Sequence, residues 1–321
     1  MGSCAVIDGG MIRIATRSSQ LALWQAEEVQ RALAACGITS VLVPIESTGD
    51  THLTQPIYAM GVSGVFTRQL DIALLEGTAD IAVHSLKDVP TQLATGLTLS
   101  AVLPRGAHED VALVKDKTKL TDGSSFTIAT SSLRRIAQWR ARYPHHHTTS
   151  IRGNVQTRLR KYGENTDMDG VIFAKAGLER VGLLPADAIT LDWMVPAPAQ
   201  GVVGIVSRLD DQRLATIWQQ INHIPTMTAA NAERQFLRRL MGGCSVPVSA
   251  YAYTSGDNLH FKGAVHSFDG TRAYFVERVF DQAQIADAGT IAAEALLAQP
   301  GAEDLMDEIR CKDWSDESTL D

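Results

Sequence analysis

Residues 65–90, VFTRQLDIALLEGTADIAVHSLKDVP, predict a helix followed by a buried strand, and this unit indicates the fold class of the chain. The helical pattern runs from Val65 to Gly77, and Ala79–His84 is a short apolar run typical of a strand buried in a parallel sheet. The polar residues His84–Asp88 follow this strand, and Pro90 prevents its continuation. Open α/β sheets bind ligands at the carboxyl ends of their strands, so this stretch is a candidate site.

The residues before this unit repeat the same alternation. Ile12–Thr16 and Val41–Ile45 are predicted strands, and Ser19–Cys36 between them has apolar residues at helical spacing. The long segment Ser47–Gly64 is rich in Gly, Thr and Ser and predicts a functional or mobile loop. The pattern indicates an α/β domain with a mostly parallel sheet.

A second set of alternating elements follows and predicts another domain of the same class. Its strands are predicted at Val111–Val114, Phe126–Thr130, Ser150–Ile151 and Gly170–Ala174, and its helices at Ser132–Arg142 and Val155–Tyr162. The Pro- and Ala-rich segment Pro185–Gln200 is a predicted crossing, and Gly201–Ser207 is a strand that returns to the first sheet.

The last third of the chain groups its strands, which is typical of a separate α+β domain. A predicted helix at Thr228–Leu240 leads to Gly242-Gly243-Cys244, and a helix at Ile291–Leu297 closes the domain. The strands between them are Val246–Tyr253, Leu259–Ser267 and Arg272–Phe280. We expect domain 1 at 11–104 with 201–222, domain 2 at 105–200, domain 3 at 223–310, and terminal extensions at 1–10 and 311–321, the latter poorly ordered.

Composition limits the classes of protein. The 321 residues include 29 Lys and Arg against 36 Asp and Glu, a net charge of -7, which is ordinary for a globular protein. We find no apolar stretch of about 18 residues and no secretory signal, so we expect a cytoplasmic protein without a membrane span. The four cysteines form no metal-ligand spacing, and His145–His147 is expected to be a hydrated turn, so no metal is predicted.

The segment 131–163 contains no Asp or Glu although the chain is acidic. Its basic residues are Arg134, Arg135, Arg140, Arg142, Arg152, Arg158, Arg160 and Lys161. Such uncompensated charges are tolerated when they extend into water or surround an anion. The sequence pI of about 5.7 and the few interleaved aromatic residues disfavour nucleic acid as that anion. We expect Arg140, Arg142, Arg160 and Lys161 to face water.

Polar residues follow four predicted strands, at Thr16–Ser19, His84–Asp88, Thr130–Arg135 and Ile151–Asn154. Each Ser or Asn among them could serve only as a helix N-cap. Together, and with arginine in three of them, they favour an anion-binding cleft, because free N–H groups at helix starts also bind anions.

Two further residues have a structural and a chemical interpretation. Asp88 could form a surface pair with Lys87, or it could be an acid at the mouth of a cationic cleft, available for proton transfer or for stabilising a cation. Cys244 could be a small buried hydrophobic residue, but the preceding Gly-Gly gives the backbone a sharp turn and the sulfur space.

Five motifs in order resemble the porphobilinogen deaminase (hydroxymethylbilane synthase) family, over about Ile12–Ile309. They are RIATRSSQLALW (13–24), ADIAVHSLKDVP (79–90), TSSLRR (130–135), RGNV (152–155) and GGCSVP (242–247). The resemblance implies two domains like those of type II periplasmic binding proteins, with mostly parallel sheets, plus a C-terminal α+β domain. It also implies that Cys244 carries a dipyrromethane cofactor through a thioether.

The activity that the resemblance implies is the head-to-tail condensation of four porphobilinogen molecules with loss of ammonia, and hydrolytic release of the linear tetrapyrrole. Asp88 takes the catalytic role, and the protein is expected to act as a monomer on this small substrate. The positions expected to bind substrate and cofactor carboxylates are Arg17, Ser19, Lys87, Thr130, Ser131, Arg134, Arg135, Arg152, Gly153, Arg158 and Arg180.

The chain departs from the family pattern in the loop, at Ala59 and Ser63, and at Ala199, where glycine is common. The alternative function is a non-catalytic anion-binding protein on the same two-domain plan. Cys244 discriminates between the two, since a binding protein needs no cofactor attached to a thiol.

Overall fold

The computed structural model describes residues 10–46, 67–240 and 246–311. Within them lie two five-stranded sheets and one three-stranded sheet. The strands, in chain order, are β1 (Ile12–Arg17), β2 (Ser40–Ile45), β3 (Ile81–Ser85), β4 (Leu97–Val102), β5 (Asp110–Val114), β6 (Thr127–Ala129), β7 (His147–Thr149), β8 (Gly170–Ala174), β9 (Ile189–Thr190), β10 (Val203–Arg208), β11 (Val248–Ser255), β12 (Asn258–His266) and β13 (Ala273–Phe280).

Helices cover the faces of these sheets. In chain order they are α1 (Gln20–Ala35), α2 (Arg68–Leu75), α3 (Leu133–Arg142), α4 (Val155–Glu164), α5 (Lys175–Arg180), α6 (Ala215–Ile221), α7 (Ile224–Leu240), α8 (Ala288–Leu297) and α9 (Ala302–Cys311). In α1, for example, the spacing of Ala26, Val29 and Leu33 places all three in the core beside β1 and β3.

The first sheet has the order β2-β1-β3-β10-β4. β1 pairs in parallel with β2 and β3, whereas β10 runs antiparallel to both β3 and β4. Four of the five residues of β3 are buried, as expected for a strand with helices on both faces. The predicted return of residues 201–207 to the first sheet is confirmed.

The second sheet repeats this plan with the order β7-β6-β8-β5-β9. β6 pairs in parallel with β7 and β8, and the strand that arrives from the first sheet, β5, is antiparallel to its neighbours β8 and β9. The two units have the shared plan of type II periplasmic binding proteins, with mostly parallel sheets, so the predicted fold class is confirmed.

The third unit is an antiparallel sheet, β11-β12-β13, with α7, α8 and α9 on one face. Phe236 of α7 lies against Phe261 of β12 with ring centroids 5.2 Å apart, at the centre of the core. Because the strands are consecutive and the helices lie to one side, this is an α+β unit, as predicted.

Several predicted elements were wrong or missed. The strand predicted at Ser150–Ile151 lies at His147–Thr149, because the Ser131 hydroxyl binds the backbone N–H of Ile151 at 3.0 Å and its carbonyl at 2.9 Å in place of a strand ladder. β4, β9, α5, α6 and α9 were not predicted. The predictions for Ser47–Gly64, including Ala59 and Ser63, and those for Cys244 and for residues 1–9 and 312–321 lie outside the described residues.

Two crossing segments, residues 103–109 and 191–202, join the first two units. They are bound to each other where the Gly106 N–H donates to the Gly201 carbonyl at 3.1 Å. Gly201 has φ +83, and a Cβ there would lie 2.6 Å from the Ala107 carbonyl oxygen. The glycine is therefore required both by the backbone conformation and by the close approach of the two segments.

Ala199 also lies in a crossing segment and, among the described residues, is the non-glycine residue with positive φ, at 62°. This conformation costs an alanine about 1–2 kcal/mol. The buried Glu233 of α7 holds it in place, because Glu233 Oε2 accepts from the Ala199 N–H at 2.6 Å while Oε1 pairs with Arg105 at 2.8 Å. The departure from the family pattern is thus accommodated by a contact with the third unit.

Gly201→Ala is expected to lower the free energy of unfolding by about 3 kcal/mol or more, because backbone strain and a backbone clash add. Gly123→Ala is the matched control: its φ is +81, but nothing lies within 4 Å of the added methyl group. The control should lose only about 1 kcal/mol. Urea unfolding of both variants checks the prediction, and equal losses would contradict it.

Candidate active site

The four polar stretches lie at the carboxyl edges of the two sheets. β1 and β3 are parallel neighbours, so Thr16–Ser19 and His84–Asp88 lie at one edge of the first sheet. β6 and β7 are parallel neighbours, so Thr130–Arg135 and Ile151–Asn154 share the corresponding edge of the second sheet. The two edges are linked, since Lys87 donates to Gln200, Gln200 donates to Asp110, and Asp110 accepts from Arg135. The edges therefore form a common cationic cleft.

The centre of the cleft floor is Asp110, the first residue of β5, which is fully buried. Its Oδ1 accepts from Arg135 Nε at 3.1 Å and Nη2 at 2.7 Å, and its Oδ2 pairs with Arg134 Nη2 at 2.8 Å. Burial alone would raise the pKa of Asp110, but the charges of Arg134 and Arg135 hold it far below its usual range. Asp110 is therefore ionised and binds both arginines.

Arg134 and Arg135 are themselves buried, at 4% and 6% exposed. Arg134 Nη1 donates to the Val195 carbonyl at 2.8 Å, and Arg135 Nη1 donates to the Ile172 carbonyl at 3.1 Å. Although residues 131–163 contain no acid, these two guanidiniums of α3 have a counter-charge, because Asp110 of β5 pairs with both. Within residues 10–46, 67–240 and 246–311, the buried Nε atom of Arg134 has no hydrogen-bond partner.

Lys87 adds a further positive charge from the first unit. Its Nζ donates to Gln200 Oε1 at 3.4 Å, and Gln200 Nε2 donates to Asp110 Oδ1 at 3.0 Å. Burial, followed by the repulsion of Arg135 and Arg134, lowers the pKa of Lys87 to about 8, against the attraction of Asp88 and Asp110. Three cations around one buried carboxylate leave a surplus of positive charge, which favours an anionic ligand.

Arg158 of α4 is the next cation of the cleft. Its guanidinium lies over the ring of Phe173, 4.6 Å from the centroid. Its Nε is buried, and no described residue is a hydrogen-bond partner for it. Burial and then Arg135 lower the pKa of Arg158 to about 10, while Asp88 opposes this shift. Asp88 is exposed at the end of a short helical turn, Leu86–Asp88, and its negative charge attracts Arg158.

The segment after Asp88 is held by the third unit. Arg234 of α7 donates to the carbonyls of Val89 and Pro90 at 2.9 and 2.7 Å. The position of Asp88 therefore depends on α7, the helix that leads to residues 241–245.

Other predicted site residues shape the backbone at the cleft edges. Ser19 caps α1, where its Oγ accepts from the Ala22 N–H, and Thr130 Oγ1 accepts from the Ser132 N–H at 3.3 Å. Ser131 holds Ile151 as described above. Arg17 and Arg152 are partly buried at the ends of their stretches.

Gly153 has φ +117, a conformation that favours glycine, at the turn before α4. Asn154 caps that helix through Thr157, and Ser132, in contrast, makes no side-chain cap of α3.

The residues expected to face water differ in exposure. Arg142 and Arg160 are exposed, and Arg160 pairs with Glu164 at 2.7 Å. Arg140 and Lys161 are partly buried, and they donate to Thr148 Oγ1 and the Arg152 carbonyl at 3.0 and 3.1 Å. In the described part of the chain, no group of three or more His, Cys, Asp or Glu side chains is arranged to hold a metal ion.

Arg180, the remaining predicted site residue, lies at the end of α5 beside the crossing segments. Its Nη2 donates to the Gly201 carbonyl at 2.6 Å, and its guanidinium carbon lies 5.3 Å from the centre of the Trp24 ring. In this structure the guanidinium is bound by the protein itself.

Sequence reasoning missed Asp110, Gln200 and Phe173. Asp110 lies outside the basic segment and begins a strand, and Gln200 ends a predicted crossing segment, so nothing local in the sequence marks either as part of the site.

Two α/β units of this shared topology form the two-domain plan of type II periplasmic binding proteins, here extended by an α+β unit. The profile described as "Porphobilinogen deaminase, dipyromethane cofactor binding domain" matches residues 12–216, and that of "Porphobilinogen deaminase, C-terminal domain" matches residues 227–298. The chain belongs to the porphobilinogen deaminase family.

Curated relatives agree with this assignment. The chain is 40% identical to the porphobilinogen deaminase of Syntrophomonas wolfei over 296 residues, which cover 91% of this chain and 96% of the relative. It is 41% identical to that of Syntrophotalea carbinolica over 302 residues, with 92% and 95% covered. The structure is distantly similar to that of a periplasmic substrate-binding protein of an ABC transporter from Coxiella burnetii, with 13% identity and a TM-score of 0.42. The similarity covers 70% of this chain and 97% of the other.

Asp110→Asn is expected to lower the free energy of unfolding by about 3–5 kcal/mol at neutral pH, because two buried guanidiniums lose their counter-charge. The pKa of Asp110 is depressed in the folded protein, so its contribution is fully present above the unfolded value of about 4 and is lost as the pH falls towards the folded value. The difference between wild type and variant should therefore narrow below about pH 4.

The control is Glu164→Gln, which also replaces a carboxylate paired with arginine, but where both side chains are about 60% exposed. It should lose less than about 1 kcal/mol. Urea unfolding between pH 3 and 8 measures both variants, and equal losses at neutral pH would contradict the role of Asp110.

Proposed function

We propose that this chain is a hydroxymethylbilane synthase, a transferase of tetrapyrrole biosynthesis. It joins four porphobilinogen molecules head to tail with loss of ammonia and releases the linear tetrapyrrole by hydrolysis. The observation that carries the proposal is the group of three cations, Arg134, Arg135 and Lys87, around the single buried carboxylate of Asp110. The exposed Asp88 follows Lys87 directly. Each porphobilinogen carries two carboxylates, so a growing chain needs such a cleft.

The residues of the cleft fit the dipyrromethane cofactor, whose carboxylates need buried cationic donors. Two buried guanidinium atoms, Nε of Arg134 and Nε of Arg158, have no hydrogen-bond partner among the residues that the structure describes. We propose that the carboxylates of cofactor and substrate bind to Arg17, Ser19, Lys87, Thr130, Ser131, Arg134, Arg135, Arg152, Gly153 and Arg158. Charge-assisted bonds of this kind contribute about 1.5–3 kcal/mol each.

Cys244 is the proposed attachment point of the cofactor, through a thioether. It lies outside the described residues, between α7 and β11. This attachment is supported by the position of Cys244 in the sequence, in the segment that connects α7 to the third sheet. Arg234 of α7 binds the segment after Asp88, so the attachment point follows the helix that holds the proposed catalytic residue. When bound, the cofactor supplies the pyrrole carbon to which the first substrate is joined.

Asp88 is the proposed catalytic residue. The C–N bond of the substrate's protonated aminomethyl group breaks, and the nitrogen leaves as ammonia with the bonding electron pair. The methylene carbon stays on the ring and becomes part of a cation on the substrate. A carboxylate about 4 Å from such a cation stabilises it by roughly 4 kcal/mol at an effective dielectric constant of 20. The same carboxylate can accept hydrogen bonds from pyrrole N–H groups. It can also accept the proton that leaves the pyrrole carbon when the new carbon–carbon bond forms.

The arginines hold the substrate in place while Asp88 acts. Planar guanidiniums bind carboxylates with two parallel hydrogen bonds, so they fix the orientation of a ring as well as its position. Gln200 spans Lys87 and Asp110, and it thereby connects the cations of the first unit with the floor supplied by the second.

We propose, as the sequence analysis predicts, that the protein is a cytoplasmic monomer without a nucleic-acid partner. Among the residues that the structure describes, none of the helices has the length and apolar character needed to cross a membrane.

Asp88→Asn is expected to lower the turnover of porphobilinogen by about two orders of magnitude or more, because the amide keeps the shape but loses the charge that stabilises the cation. Asp257→Asn, at an exposed turn between β11 and β12, is the control and should keep wild-type turnover. Steady-state assays of ammonia release measure both. Near-normal turnover in Asp88→Asn would overturn the assignment.

Cys244→Ala is expected to remove a covalent adduct of two pyrrole units from the purified protein, while Cys311→Ala keeps it. Intact-protein mass spectrometry measures the adduct directly. A wild-type protein with an unmodified mass, or an adduct that persists in Cys244→Ala, would favour the non-catalytic anion-binding alternative or a different attachment point.

A further inference from the structure

Arg180 connects three parts of the molecule that the sequence separates. It belongs to α5 of the second unit, and its Nη2 donates to the Gly201 carbonyl at 2.6 Å. The same carbonyl accepts the Gly106 N–H at 3.1 Å, so one oxygen atom binds both the other crossing segment and the guanidinium. A Cβ at Gly106 would lie 3.2 Å from Arg180 Nη2, so the glycine leaves the space in which the guanidinium lies.

The guanidinium also reaches the first unit. Its central carbon lies 5.3 Å from the centre of the Trp24 ring of α1, within the range of a cation–π interaction. Arg180 is partly buried, and this burial lowers its pKa, although Glu179 and Glu28 oppose the shift. The guanidinium is therefore held by protein groups on both sides, the Gly201 carbonyl and the Trp24 ring.

The beginning of α1 rests on the second unit beside this contact. Leu21 packs against the core of the second unit, and Gln156 of α4 donates to the side-chain carbonyl of Gln20. A Cβ at Gly177 of α5 would lie 3.8 Å from Leu21 Cδ2, so α1 and α5 approach closely through a glycine. α1 follows directly after Arg17 and Ser19, so this contact sets the distance between the two edges of the cleft.

We propose that Arg180 is a positioning residue that sets the width of the cleft in the substrate-free protein, and that it is not a ligand of a substrate carboxylate. It holds the two crossing segments together through Gly201 and holds α1 against the second unit through Trp24. Points near a hinge move least when two units rotate apart. The contact with Gly201 is therefore expected to persist as the cleft widens for a longer chain, while the contact with Trp24 is released.

The first test measures the crossing segments in the substrate-free protein by amide hydrogen exchange. In Arg180→Gln, exchange of the Gly106 amide should be at least about tenfold faster than in wild type, because its acceptor loses the guanidinium that orders it. Trp24→Leu should give a smaller acceleration, and the double variant should not exceed Arg180→Gln. Arg180→Lys keeps one donor and should lie between wild type and Arg180→Gln.

The control for charge is Arg142→Gln, an exposed arginine of the second unit, which should leave Gly106 exchange unchanged. Unchanged exchange of the Gly106 amide in Arg180→Gln would overturn the proposed positioning role of Arg180. So would fully additive effects of the Arg180 and Trp24 substitutions, because residues that act through one contact are not independent.

The second test rests on the proposed function and measures turnover of porphobilinogen. If Arg180 positions the two units, Arg180→Gln and Trp24→Leu should both lower kcat about five- to tenfold and leave KM within about twofold. A carboxylate ligand at Arg180 would instead raise KM in Arg180→Gln and leave Trp24→Leu at wild type, which would overturn the proposal. A wild-type protein without turnover would refute the proposed function alone, and the exchange experiment would then decide the role of Arg180.

Discussion

The shared ion pair of Asp110 with Arg134 and Arg135 is the interaction on which the site depends. The Asp110 carboxylate fixes the two guanidiniums in place. Because one carboxylate cannot neutralise two guanidiniums and Lys87, the group keeps a net positive charge. Without the carboxylate the arginines would be buried and unpaired, which is strongly destabilising. A second buried carboxylate would remove half of this surplus positive charge and would weaken the attraction of the cleft for an anion.

The topology places this ion pair at the junction of the two units. In each sheet the strand that comes from the other unit runs antiparallel to its neighbours, and these strands are β10 in the first sheet and β5 in the second. Asp110 begins β5, and Gln200 lies in the segment that leads to β10. The backbone crossings that make the two-unit fold therefore also bring the floor of the site together, and Glu233 and Arg234 of α7 connect that junction to the third unit.

The sequence was sufficient to predict the fold class, because buried strands and amphipathic helices alternate with clear periods and because polar residues follow four strands. It could also indicate an anion site from the clustering of arginines. It could not predict that Asp110 would neutralise part of that cluster. Asp110 begins β5, and the arginines that it pairs with lie 24 and 25 positions later, in the helix α3. Local hydroxyl bonding by Ser131 likewise displaced the predicted strand at Ser150–Ile151, which the apolar pattern does not reveal.

The central claim is that a covalently anchored chain grows by one pyrrole unit at a time within this cationic cleft. Intact-protein mass spectrometry of wild-type protein mixed with substoichiometric porphobilinogen tests it most directly. The account predicts discrete protein species separated by the mass of one porphobilinogen minus one ammonia. A protein mass that does not change while the tetrapyrrole accumulates in solution would contradict it.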